Sequence, residues 1–292
     1  MLTNRFLDDT LDLVRCGELS AAMYILTGHL HSLRADDDAW PATVAALREH
    51  RLHDVLLEDP YLSHSFRRPR GYPGDAGLID MIYDMVPPQG TRDRARNLFD
   101  ITTQFVAANA VRLRLDYART LVTEAHRAGQ RICVLACGHF REGDDLAGQD
   151  MSNVTLVDQD PQSLAIVQGR HGATGARAIE ANVFSFLRSA AQANEQYDLV
   201  YTLGLTDYLD ERAMHLFHRL LYKLVADDGR AVIANFRPDL ICTGWMEAVM
   251  DWHLIYRDEA DLAQFAAKAG FAASTWIDPT GHIAWASLKR AG

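Results

Sequence analysis

Gly138 and Asp158, twenty positions apart, carry the first suggestion of chemistry in the chain. Each closes or follows a short apolar run, RICVLAC and VTLVD, of the kind that forms a buried strand. A glycine after one strand lets the backbone approach a ligand closely. An acid ending the next strand can accept both hydroxyls of a ribose, so the spacing points to an adenine nucleoside. A dinucleotide would need G-x-G-x-x-G, because its pyrophosphate rests on bare amides at a helix N-terminus. Only Gly138 and Gly143 stand here, and Glu142, Asp144 and Asp145 crowd that end. Such carboxylates repel pyrophosphate and attract a cation. NAD is therefore disfavoured, and a nucleoside with a positive centre, such as S-adenosylmethionine, is favoured.

Two further stretches hold groups that can act on a ligand. In GYPGD, Tyr72 and Asp75 sit on a glycine-flanked loop. They suit either a lid that excludes water and brings a hydroxyl and a carboxylate to the reacting centre, or a turn whose aspartate caps the next helix. Arg70, just before, is either a carboxylate clamp or a solvated cation. In GLTDYL, Asp207 and Tyr208 follow another apolar run. A tyrosine face attracts a desolvated cation by ~1 to 2 kcal/mol, while the bland alternative is a helix cap and a packed ring. His139, beside Gly138, fits a general base or a loop filler. No metal site is expected. The twelve histidines form no HExxH, His215 and His218 fall on an expected surface helix, and the four cysteines form no CxxC pair.

These groups need a scaffold, and the periodicity supplies one. Residues 1–126 read as helices, with a break at FRRPRGYPGDAG, where two prolines and three glycines stop any helix. From residue 127 to 292 the period changes. RICVLAC, VTLVD, ARAIEAN, YDLVYTLG and RAVIANF alternate with segments of helical length, implying a parallel sheet covered on both faces. FAASTWI and HIAWASL, joined by the turn DPTG, read as a closing hairpin. Trp252, His253 and Tyr256 in MDWHLIYR recur at helical spacing and read as core.

Composition narrows the partners. With 29 basic against 39 acidic residues, a net charge of -10 and only three lysines, the chain lacks the basic face that nucleic acid or an anionic membrane requires. No apolar run approaches the ~18 to 20 residues of a membrane span. The acidic, amphipathic start MLTNRFLDDTLDLV does not have a signal-peptide pattern. A cytoplasmic protein acting on a small molecule is expected.

VLACGHFRE, TLVDQDPQSL, YDLVYTLGLTDYL and LVADDGRAVIANF, in that order, resemble the motif series of class I S-adenosylmethionine-dependent methyltransferases. RPRGYPGDAGLIDMIYD and WMEAVMDWHLIYR resemble a bacterial family assigned to 3-hydroxypalmitic acid methyl ester biosynthesis. The likeness runs from about residue 60 to the C-terminus. The same fold type includes cyclases that convert S-adenosylmethionine to azetidine-2-carboxylate.

The resemblance implies a Rossmann-like α/β fold, a seven-stranded sheet with the hairpin at its edge and a helical N-terminal cap. It implies that Gly138 and His139 border the methionyl part, and that Asp158 with the adjoining Gln159 serves the ribose. Asn182 and the Val183 amide would read adenine, and Leu203 and Gly204 would lie beside the sulfonium. Tyr72, Asp75, Asp207 and Tyr208 stand as the candidate catalytic groups, and Arg70 as a candidate clamp for the methionyl carboxylate that is otherwise a solvated cation. It depicts displacement at a carbon bonded to the sulfonium: methyl transfer to an oxygen, or cyclisation releasing 5'-methylthioadenosine. A silent nucleoside-binding protein is the third reading. CGHF departs from the usual small residues after the first strand, and ADDG replaces the usual Pro-Gly-Gly turn.

Overall fold

The computed structural model of the chain describes residues 2–291. They form two compact units, one built from the chain up to Arg112 with Asp239–His253, the other from Leu113–Pro238 with Leu254 onward. The division falls inside a long helix, earlier than the 126/127 boundary expected from periodicity, and returns fifteen residues of the C-terminal half to the helical unit. Periodicity cannot show this, because a helix that serves two cores keeps one unbroken pattern.

The helical unit contains α1 (Asn4–Arg15), α2 (Leu19–Arg34), α3 (Trp40–Glu49), α4 (Arg51–Leu56), α5 (Pro60–Arg67), α6 (Ala76–Asp84), α7 (Asp93–Thr102) and the start of α8 (Val106–Arg127). α12 (Thr243–Met250) joins them from the later segment. Asp59 caps α5 ahead of Pro60, and Asp75 caps α6, so each start is fixed by a side-chain oxygen on a free amide. α12 is buried from Gly244 to Met250. Gly244 permits this, since a Cβ there would stand 2.6 Å from the Leu30 carbonyl oxygen of α2. The buried Glu247 carboxylate accepts from Arg34 Nε and Trp40 Nε1, both at 2.7 Å.

The sheet unit carries the rest of α8, then β1 (Ile132–Leu135), β2 (Val154–Asp158), α9 (Pro161–His171), β3 (Arg177–Glu180), α10 (Val183–Gln192), β4 (Tyr197–Thr202), α11 (Glu211–Leu224), β5 (Val225–Phe236), α13 (Glu259–Lys268), β6 (Phe271–Ile277) and β7 (Ile283–Arg290). The order is β3-β2-β1-β4-β5-β7-β6; β1 to β5 run parallel, and β7 is antiparallel to both its neighbours. β1 and β2 are buried along their whole length, which is why they read as continuous apolar runs. The seven strands and the closing hairpin match the sequence expectation. The DPTG turn is tied by Asp278, whose carboxylate accepts from the Thr280, His282 and Ile283 amides.

Three local expectations are corrected. ADDG is not a turn before β5: β5 starts at Val225, and a register shift against β4 absorbs the extra residues. MDWHLIYR is not helical. α12 ends at Asp251, which adopts the left-handed conformation (φ 53°), and the chain then runs non-helically to α13. Trp252 is buried, but His253 is exposed. His218 is not a surface residue; it is fully buried beside Phe265, its Nδ1 on the Met214 carbonyl, and burial lowers its pKa to about 4.

Candidate functional site

The carboxyl ends of β1, β2 and β4 meet at the point where the strand order reverses, the place where open α/β sheets bind ligands. After β1 the backbone takes positive φ three times in five residues, at Ala136 (54°), Gly138 (53°) and Phe140 (49°). This sharp winding aims the Gly138 amide at the end of β2. There Gly138 N–H donates to Asp158 Oδ2 at 2.8 Å, and Asp160 N–H donates to Oδ1 at 2.9 Å. The Asp158 carboxylate is buried, and burial raises its pKa against the opposing pull of the two amides. An ionised carboxylate offers about four lone-pair sites, so two remain for hydroxyl donors.

The helix expected after Gly138 is instead a short 3₁₀ turn, Arg141–Leu146. The cause is Phe140, which points inward, 1% exposed, with its ring edge-on to His171 at 5.4 Å. A Cβ at Gly143 would lie 2.1 Å from that ring, so Gly143 is the space the ring occupies. His139 is also buried. The CGHF departure is thus accommodated by folding both large side chains inward.

The acids of this turn are largely committed internally. Glu142 is buried and accepts from Tyr201 Oη of β4 at 2.9 Å; burial raises its pKa in spite of that bond. Asp144 lies 3.0 Å from Arg141 Nε, 3.7 Å from His171 and 3.8 Å from Arg170. Burial opposes its charge, but these partners hold its pKa below the usual range. Of the three carboxylates expected to repel pyrophosphate, only Asp145 is exposed.

Beyond β2 and β3, Gln159 and Asn182 come together, with Asn182 Nδ2 3.4 Å from Gln159 Oε1. Asn182 caps α10: its Oδ1 accepts from the Phe184 amide at 3.0 Å. The oxygen expected to read an adenine amino group already holds the helix, leaving one lone pair for that purpose. Val183 is buried in the first turn.

Beyond β4, Leu203 and Gly204 lie against Arg114 of α8, whose Nη1 donates to the Leu203 carbonyl at 2.6 Å. The next loop is fastened rather than free. Asp207 is 2% exposed and accepts from the Phe236 amide at 2.7 Å; burial lifts its pKa to about 6. Thr206 Oγ1 donates to the Ala234 carbonyl at 2.6 Å. Arg257 donates to the carbonyls of Thr206, at 2.8 Å, and Leu209. The cap of α11 is Asp210, on the Ala213 amide, not Asp207. Tyr208 is 38% exposed, so it is not a packed core ring. Arg70, Tyr72 and Asp75 belong to the helical unit. Asp75 is fully buried there, capping α6 through the Leu78 amide at 3.0 Å with both oxygens 2.8 Å from His64 Nε2.

Arg114 and the Glu142–Tyr201 pair were missed by motif reading. A signal for Arg114 exists. Ala107, Val111, Arg114, Ala118, Leu121 and Ala125 recur at spacings of four and three, and all are buried, so the arginine stands on the apolar stripe of α8. Two buried polar atoms at this end have no partner, Arg114 Nε and Thr202 Oγ1. Unsatisfied buried polar atoms at the carboxyl ends of the strands fit a polar ligand. Among the described residues no His, Cys, Asp and Glu cluster could hold a metal, and no helix is long and apolar enough to cross a membrane.

No protein-family profile and no curated protein matches the chain. Among solved structures it is similar to a possible exported protein from Bordetella parapertussis, at 18% identity and TM-score 0.55, covering 87% of this chain and 97% of that one. It is also similar to a magnesium protoporphyrin IX methyltransferase from Synechocystis, at 16% identity and TM-score 0.46, covering 64% and 85%. A third is a TehB-like SAM-dependent methyltransferase from Corynebacterium glutamicum, at 17% and 0.44, covering 60% and 87%. The fold is a Rossmann-like α/β sheet of seven strands with helices around it.

Proposed function

We propose that this chain is an S-adenosylmethionine-dependent enzyme that transfers a methyl group to an oxygen of a small or fatty acceptor. The reading is carried by the wound loop after β1, whose Gly138 amide is held on the Asp158 carboxylate at the switch point of the sheet. The motif resemblance supports it, as do the solved methyltransferases that share the sheet. S-adenosylmethionine supplies a carbon activated by its sulfonium. The chain's share is alignment, exclusion of water and a group to hold the acceptor's proton.

In this reading Asp158 receives the ribose hydroxyls, and Gln159, Asn182 and Val183 border the adenine. Gly138, Leu203 and Gly204 border the methionyl chain. Tyr208, partly exposed after β4, presents a ring or hydroxyl to the reacting centre, while Asp207 fixes that loop by holding the Phe236 amide. Roles for Tyr72 and Asp75 in turnover rest on the GYPGD resemblance. A cytoplasmic location accords with the four free cysteines, one exposed and three buried.

Incubating the protein with S-adenosylmethionine, with and without a fatty hydroxy acid, and analysing products by mass spectrometry tests this. Formation of S-adenosylhomocysteine only with acceptor supports methyl transfer. Methylthioadenosine without acceptor makes the enzyme a cyclase of the same fold. Tight binding with no turnover makes it a sensor.

A further inference from the structure

Arg114 is 6% exposed, yet only one neutral acceptor, the Leu203 carbonyl, satisfies its guanidinium. Its Nε has no partner, and it makes no ion pair among the described residues. The two acids whose fields reach it are engaged elsewhere, Glu142 with Tyr201 Oη and Asp207 with the Phe236 amide. A dehydrated guanidinium is costly unless paired with an anion, and its planar fork matches a carboxylate with two parallel donors. With Nη1 on Leu203, the edge formed by Nε and Nη2 is the one left to receive an anion. Gly204 lies against the Nη end of the guanidinium. A Cβ at Gly204 would stand 3.8 Å from Nη2 and 3.9 Å from Nη1, so any side chain there would lie against the guanidinium.

We propose that Arg114 binds the α-carboxylate of the methionyl part of S-adenosylmethionine through Nε and Nη2. The assignment rests on the cofactor reading above and deepens it. The carboxylate is the only anion on that ligand; adenine and ribose are neutral, and the ammonium and sulfonium are repelled by a guanidinium. A buried arginine beyond β4 therefore fixes which end of the ligand lies there and selects ligands with an intact amino-acid tail. Arg70, expected from sequence to clamp this carboxylate, lies in the helical unit beside the charge of Asp75 and serves as the control.

Calorimetric titration with S-adenosylmethionine, its decarboxylated form and 5'-methylthioadenosine tests the assignment. The wild type should bind the decarboxylated form about 10- to 100-fold more weakly than S-adenosylmethionine, the scale of a charge-assisted contact. Arg114→Gln should shrink that ratio to about twofold by weakening S-adenosylmethionine alone, with methylthioadenosine unchanged as a check that the pocket is folded. Gly204→Ala should weaken S-adenosylmethionine more than methylthioadenosine, and Arg70→Gln should keep the wild-type ratio. A wild-type ratio near one, or a ratio that survives Arg114→Gln, overturns the proposal. If Arg114→Gln binds nothing because it fails to fold, the wild-type ratio and Gly204→Ala still decide. Wild type that binds none of the three overturns the cofactor reading and this assignment with it. Binding of all three with equal affinity overturns this assignment only.

Discussion

Asp158→Ala should weaken both the fold and the ligand complex, by amounts the local geometry sets. The carboxylate is 5% exposed and accepts two amides, from Gly138 at 2.8 Å and Asp160 at 2.9 Å. A hydrogen bond to a charged group contributes about 1.5 to 3 kcal/mol, and a buried donor left bare costs about 1 to 3 kcal/mol. Removing both acceptors also removes the penalty of burying the charge, which raises the pKa of this group. The net loss of stability without ligand should then be about 2 to 4 kcal/mol, within the stability of an ordinary domain. Asp158→Asn keeps one oxygen and should lose about half as much. Loss of the ribose contacts should separately weaken S-adenosylmethionine binding by about 1.5 to 3 kcal/mol, or roughly 10- to 150-fold. Urea unfolding of the free protein and calorimetry of the complex measure the two effects apart. An unchanged urea midpoint for Asp158→Ala would show that the carboxylate does not hold the loop. Unchanged affinity would remove Asp158 from the ribose site.

Gly143→Ala should destabilise by about 1 to 3 kcal/mol, because its methyl enters the space of the Phe140 ring. In a Phe140→Leu background the same change should cost much less, and strict additivity in that double-mutant cycle would refute the steric argument. The folded pKa of Asp207 lies near 6, above its ordinary 3.8, so the folded state holds the proton more tightly. Its contribution to stability is therefore largest at low pH and falls as pH rises from about 4 to 6, by about 3 kcal/mol. Asp207→Asn should lose that slope in urea midpoints measured across pH 4 to 8, and an identical slope in the two proteins would refute it. Tyr72→Phe should lower turnover about ten- to a thousandfold while S-adenosylmethionine affinity changes less, as for a group acting mainly in the transition state. Full turnover in that variant would strike Tyr72 from the catalytic residues.

β1 and β2 were legible because burial on both faces forces unbroken apolar runs, and the hairpin because DPTG is turn chemistry. The placing of Gly138 and Asp158 at neighbouring strand ends was legible because each follows or closes an apolar run, but the hydrogen bond between them was not. What escaped depends on partners distant in sequence. The 3₁₀ turn at Arg141–Leu146 follows from a ring settling on Gly143, and a hydrophobicity pattern does not contain that contact. The segment after Asp251 has helical spacing but is drawn out by long-range bonds: Ile255 N–H to the Asp207 carbonyl and Arg257 N–H to the Phe236 carbonyl, at 2.8 and 2.9 Å. Arg114 looked like any helical arginine, and the stripe that betrays it becomes decisive only once the stripe is known to be buried.

The two units also constrain how the chain can be made and cut. The helical unit lacks α12 until residue 250 has been synthesised, though α12 supplies the buried Glu247 that takes hydrogen bonds from α2 and α3. The sheet unit waits longer, since its last-made strand, β7, is not an edge but is inserted between β5 and β6. The helical unit can close only once residue 253 has emerged, and the sheet unit only once β7 has. Vectorial synthesis, which usually lets an N-terminal domain fold first, gives this protein no part finished before α12 is made. A stop codon or protease cut before α12 should therefore leave both cores open, and one between α12 and β7 should leave the sheet core open alone; such fragments belong to chaperones and proteases.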